Sequence, residues 1–159
     1  MAEFFLMLST WALPVLVAIT FHEAAHGFVA WTLGDDTAHR LGRVSFNPLR
    51  HVDPMGTIVL PLMLLILKAP FLFGFAKPVP VNFGRLGSPR RDMVWVALAG
   101  PGVNIVLALL SALLVHLVVV LPEMAQRWWV LNMDHSIQIN LILAIFNMIP
   151  LPPLDGGRV

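Results

Sequence analysis

One apolar run, from Phe4 to Leu33, constrains this chain more than any other feature. A helix over that run, at ~1.5 Å per residue, is roughly 45 Å long, enough to cross a bilayer with its interfaces. Its only ionisable side chains are His22, Glu23 and His26, in the order His22-Glu23-Ala24-Ala25-His26. Charge-bearing groups at membrane depth are costly and by default mark function. Pro14 is placed to kink the helix, and Gly34-Asp35-Asp36 supplies a stop signal.

The spacing of these three residues states a chemistry. Positions i and i+4 share one helix face, with Cβ atoms ~5–6 Å apart, so both imidazoles can reach one Zn²⁺. Glu23 projects beside such a metal, where a carboxylate can act as base on activated water. The pattern H-E-x-x-H is a metalloprotease signature. The competing reading is two helix histidines and an acid without a metal. In an apolar helix it leaves polar groups uncompensated at several kcal/mol.

Composition agrees with a membrane setting. Of the 159 residues, 58% are hydrophobic and 12% charged, with mean hydropathy +0.81. Ordinary soluble domains carry about 25% charged residues. A net charge of +1, with basic residues dispersed, argues against nucleic acid. With no cysteine, a metal site must use His and carboxylate ligands. The N-terminus lacks the basic region of a cleavable signal peptide.

After the first helix, residues 34–53 are polar. Gly42 to Phe46 is read as a short strand, and Asn47-Pro48 and Asp53-Pro54 as turns. His39, His51 and Asp53 are rival metal ligands, against a simpler role in local hydrogen bonding. Gly56 to Gly74 is apolar but carries Pro61, Lys68 and Pro70, so it either spans or re-enters. Re-entry collects Arg40, Arg43, Arg50, Lys77, Arg85, Arg90 and Arg91 on one face, with Arg127 opposite. The positive-inside rule favours that arrangement and makes the basic face cytoplasmic. Pro78 to Val81 suits an extended edge segment that could pair with a substrate strand, or a Pro-rich loop.

The next helix is expected over about 92–121. Gly100, Asn104, Ala108 and Ala112 fall four apart, a small-residue face for close packing in lipid. On that face Asn104 is a candidate for contact with the catalytic helix or substrate, against a single interhelical hydrogen bond. His116 is expected to be buried. Pro122 to His135 is read as a connection, with Arg127-Trp128-Trp129 anchoring it at the interface. A last helix from near Ser136 must unwind at Pro150, Pro152 and Pro153. Unwound backbone at membrane depth lines a cavity or is buried in protein. A catalytic zinc needs a third protein ligand and an open position, and Asp155 is the best candidate beside a helix-terminus or turn role.

Together these motifs resemble the site-2 protease family of intramembrane zinc metalloproteases. HEAAH is similar to its zinc and catalytic motif. NMIPLPPLDGG resembles its N-x-x-P-x-x-P-x-D-G motif, and AGPGVN the small-residue motif of its intervening helix. The resemblance implies that His22, His26 and Asp155 hold one zinc per chain and that Glu23 activates water. It implies that Asn147 positions substrate or the developing oxyanion. It resembles the compact prokaryotic branch without PDZ or CBS domains, and the stop at Val159 looks like a C-terminal truncation.

The expectation is therefore an all-α polytopic membrane protein forming one domain over residues 1–159. It comprises the H-E-x-x-H helix (4–33), an interfacial or re-entrant region with short β-like strands (34–91), the AGPxxN helix (92–121) and the helix with the Asp-Gly motif (136–159). The expected activity is zinc-dependent hydrolysis of peptide bonds in or near transmembrane segments of membrane-protein substrates. Such a protein is multi-pass in the cell membrane, with lipid as its surroundings and its site toward the cytoplasm. The alternatives are a non-catalytic zinc-binding membrane protein and a transporter. Oligomeric state is not readable from the sequence.

Overall fold

Three long helices carry the structure, a computed structural model that describes residues 1–67, 76–152 and 154–158. They are α1 (Ala2–Thr32), α4 (Pro89–Leu114) and α5 (Glu123–Asn147), and each packs against the other two. Two shorter helices, α2 (Thr37–Arg40) and α3 (Leu60–Ile66), lie between α1 and α4. A six-residue π turn, Pro54–Val59, leads into α3.

The bundle is small and polar inside, large and apolar outside. In α1 the buried side chains include Thr10, Pro14, Ala18, His22, His26 and Ala30, every fourth residue. In α4 they are Met93, Val96, Ala97, Gly100, Pro101, Asn104, Ala108 and Ser111. In α5 they are Asn132, Asn140 and Ala144. Phe4, Leu8, Phe28, Leu109 and Leu113 point outward, each more than half exposed. Small residues let the helix backbones approach, the packing expected where lipid rather than water surrounds the bundle. Among the described residues, two helices are long and apolar enough to cross a membrane: Ala2–Thr32, mean hydropathy 2.1, and Pro89–Val120, mean hydropathy 2.7.

Proline inside α1 creates a specific packing demand. Pro14 has no N–H to donate to the Thr10 carbonyl, so that acceptor is free. His135 Nδ1 lies 2.9 Å from the Thr10 carbonyl oxygen and satisfies it from α5, with the His135 ring stacked on Trp11 at 4.1 Å.

Several expectations need correction. Among the described residues there is no strand, neither at Gly42–Phe46 nor at Pro78–Val81. The first segment is instead clipped by Arg43, which donates to the carbonyls of Arg50, Lys77 and Pro78. The second has no strand partner among the described residues. The 122–135 connection is the first half of α5, which begins at Glu123 behind Pro122. Its Arg127 pairs with Glu3, and Trp128 donates to the Ser9 hydroxyl, zipping α5 to the start of α1. The α4 face drifts from strict four-residue spacing, so Ser111 is buried and Ala112 exposed, as 3.6 residues per turn requires. His116 is exposed, in the 3₁₀ turn Val115–Val120 that follows α4. The Gly56–Gly74 segment lies partly outside the described residues, so the choice between spanning and re-entry falls there too.

Candidate metal centre

The end of α1 and two loops set the stage. Gly34, at φ 110°, turns the chain out of α1 in the left-handed region that suits glycine. Asp35 is then fully buried and accepts from the Thr37 amide, the Thr37 hydroxyl and the Asn82 amide, at 3.0, 2.5 and 2.6 Å. Burial pushes the Asp35 carboxyl up, but these hydrogen bonds and nearby Arg85 outweigh it and hold it below the usual value. The loop before α4 is thereby tied to the C-terminal end of α1. Farther up the same loop, Lys77 donates its amide to the His51 carbonyl, and the Arg43 clip fixes residues 77 and 78.

That clip places Val79 against α1. Pro78 and Pro80 have no N–H, so Val79 supplies the one amide donor of the three. It donates to Glu23 Oε2 at 2.8 Å. The bond orients the carboxylate through one oxygen.

His22 and His26 sit one turn apart, and α5 delivers a third group. α5 ends at Asn147, the chain unwinds through Pro150 and Pro152, and Asp155 opens the 3₁₀ turn Asp155–Arg158. The glycines of this segment permit close backbone approach. A Cβ on Gly156 would stand 2.6 Å from the Met148 carbonyl oxygen, and one on Gly157 2.5 Å from the Pro152 nitrogen. Asp155 Oδ2 lies 3.0 Å from His22 Nε2 and 3.0 Å from His26 Nε2, and the two Nε2 atoms are 3.0 Å apart. All three side chains are buried. Among the described residues this is the cluster of His, Asp and Glu whose ligand atoms converge within metal-binding reach.

The donor set fits a zinc ion. Both Nδ1 atoms are occupied: His22 Nδ1 is 2.5 Å from Asn104 Oδ1, and His26 Nδ1 is 2.7 Å from the Val96 carbonyl oxygen. Both partners are oxygen acceptors, so each Nδ1 carries the proton and each Nε2 turns a lone pair inward. Two lone pairs and a carboxylate oxygen thus face one another, which is repulsive without a cation. A tetrahedral shell with ligands at ~2.0–2.1 Å spaces them about 3.3 Å apart, close to the triangle seen here. Gly100 of α4 borders the same space. A Cβ there would stand 2.4 Å from His26 Nε2 and 2.6 Å from His22 Nε2.

The other candidates take different places. Asn104 stands behind His22, fully buried, and also donates to Asn140 Oδ1 at 2.7 Å and to the Ala18 carbonyl at 3.3 Å. It faces α1, and both its oxygen and its nitrogen are engaged within the bundle. Asn147 is half-buried and donates to the Leu143 carbonyl. It lines a cavity of about 210 Å³ with Ala97, Leu98, Pro101, Met148 and Gly156, next to Asp155 in the chain. Of the rival ligands, His39 stacks on Trp31, His51 Nε2 bonds the Ser45 carbonyl, and Asp53 caps the turn at Met55 and Gly56. Sequence reasoning missed Val79, Val96, Arg43 and Asn140. Backbone groups leave no mark on residue type, but Asn140 does, as an amide directly before the apolar run Leu141–Phe146.

Comparison with known proteins places the chain. It is 41% identical over 151 residues, 92% of its length, to a Bacillus subtilis protein named "Putative zinc metalloprotease YwhC". It is 29% identical over 153 residues to "Putative zinc metalloprotease Rip2" of Mycolicibacterium smegmatis. It is 33% identical over 141 residues to the Mycobacterium tuberculosis protein of the same name. The chain spans 65%, 55% and 52% of these relatives' own lengths. No protein-family profile and no solved structure matches it. The chain is thus similar, over most of its own length, to proteins named as zinc metalloproteases.

Proposed function

We propose that residues 1–159 form the core of an intramembrane zinc metalloprotease. The observation that carries the proposal is the convergence of His22, His26 and Asp155 beside a Glu23 carboxylate held by one oxygen. The relatives' names support a zinc-dependent peptidase. The outward apolar faces of α1 and α4 support a bilayer setting. In this reading α5 is the third membrane-crossing helix, and the loops bearing Arg40, Arg43 and Arg85 face the cytoplasm.

His22, His26 and Asp155 hold the metal. When bound, zinc polarises a carbonyl and lowers the pKa of water. Glu23 takes the proton of the attacking water on its Oε1 side, since Oε2 is engaged by Val79, and returns it to the leaving amine. Asn147, on the cavity wall near Asp155, orients the scissile segment. The substrate is a transmembrane segment of another protein. It must unwind locally, because helical hydrogen bonds shield its peptide bonds.

A Glu23→Gln variant tests the reading. It is expected to keep one zinc per chain and lose cleavage of transmembrane substrates by about 10²–10⁴-fold, the range for removing a general base. Cleavage at the wild-type rate by Glu23→Gln would overturn the assignment.

A further inference from the structure

A ladder of buried polar groups runs from the metal centre into the bundle, and its direction can be read from acceptor-only groups. The Ser136 carbonyl of α5 can only accept. Asn140 Nδ2 lies 2.8 Å from it, so this end of the Asn140 amide is the donor. Asn140 Oδ1 then faces α4 and accepts from Asn104 Nδ2 at 2.7 Å. The Ala18 carbonyl of α1, 3.3 Å from the same nitrogen, is a second acceptor-only group at that end. Asn104 Oδ1 is therefore turned to His22 Nδ1, 2.5 Å away. An amide oxygen cannot donate, so the His22 proton sits on Nδ1 and the Nε2 lone pair faces Asp155 and His26. Asn104 and Asn140 are both 0% exposed, and water cannot replace either partner.

We infer that Asn140, one helix removed from any ligand atom, is a positioning residue for His22: acting through Asn104, it selects the imidazole tautomer that presents Nε2 to the metal. The inference rests on the zinc-site reading above. Nothing at Asn140 touches the reacting atoms. Its effect depends on Asn104 being present to transmit it.

A double-mutant cycle on the detergent-purified full chain tests this, read as zinc affinity by competition with a chromophoric chelator. Asn104→Ala is expected to weaken zinc binding by about 10–100-fold, the range for an outer-shell partner of a ligand. Asn140→Leu, which keeps the volume, is expected to weaken it by about 10-fold, at the low end of that range. In the Asn104→Ala background Asn140→Leu should add less than about threefold, because the transmitting group is gone. Ser111→Ala, at the far end of the ladder where Ser111 meets the Ser136 hydroxyl, should leave affinity unchanged. Additive losses in the cycle, wild-type affinity in Asn140→Leu, or an equal loss in Ser111→Ala would each overturn the inference. Should Asn140→Leu fail to fold, ¹⁵N spectra of the wild-type zinc-loaded chain decide. A proton on His22 Nδ1 with the metal at Nε2 supports the assignment, and ligation through Nδ1 overturns it. A wild-type chain that binds no zinc would overturn the zinc reading and this inference together. Zinc binding with additive losses overturns this inference alone.

Discussion

Replacing Gly100 by alanine should empty the metal centre while leaving the fold intact. The added Cβ would stand 2.4 Å from His26 Nε2 and 2.6 Å from His22 Cε1 and Nε2. Ordinary contact is about 3.5 Å, so the rings must withdraw by about 1 Å. Metal–ligand distances tolerate about ±0.2 Å. The rings cannot retreat freely, because His22 Nδ1 and His26 Nδ1 are held by Asn104 and Val96. The loss of zinc affinity should therefore exceed the ~10–100-fold of an outer-shell change. Alanine is a better helix former than glycine by about 0.8–1 kcal/mol, so α4 itself is not weakened. The assay pairs zinc titration against a chelator with circular dichroism of the metal-free chain. A Gly100→Ala protein that is helical and binds zinc within threefold of wild type would refute the placement of α4 against the two histidines.

Three further outcomes follow from the same geometry. Val79→Pro removes the amide that orients Glu23, and should lower kcat about 10-fold or more with zinc content unchanged; unchanged kcat would show that the bond is idle. Asp35 is held below its ordinary pKa in the fold, so its contribution is complete above ~4 and is lost as pH falls through the lower folded value. Thermal melts should therefore show a loss of stability below about pH 4 that is smaller in Asp35→Asn than in the wild type. His135→Ala strands the Thr10 carbonyl and should cost about 1–3 kcal/mol in a chemical melt. Adding Pro14→Ala, which restores the helical donor, should recover most of that loss.

Much of this architecture is legible in residue order, for identifiable reasons. The Phe4–Leu33 run specifies α1 almost to its ends because nothing interrupts it before Gly34, and the structure gives Ala2–Thr32. The break after Asn147 is legible because Pro150 and Pro152 cannot continue a helix. The start of α5 is hidden in the sequence because Glu123, Arg127 and Asp134 look like a solvated connection. Those charges lie on exposed faces, while Trp128 and Asn132 turn inward on one side of a continuous helix. Strands expected at Gly42–Phe46 and Pro78–Val81 do not form because the Arg43 side chain, not a backbone ladder, joins those segments. The group at His22, His26 and Asp155 spans 129 residues from His26 to Asp155, and only the need for a third ligand and the motif resemblance pointed there. Gly100 reads as a packing residue, but its place as the open wall of the site depends on how α4 crosses α1. Spacing along one helix does not encode that crossing.

The most direct measurement is zinc content of the detergent-purified chain, taken beside His22→Ala and Asp155→Ala. The account predicts about one zinc per wild-type chain, lost or greatly weakened in both variants. A folded wild-type chain without zinc, or a site indifferent to Asp155→Ala, would contradict it.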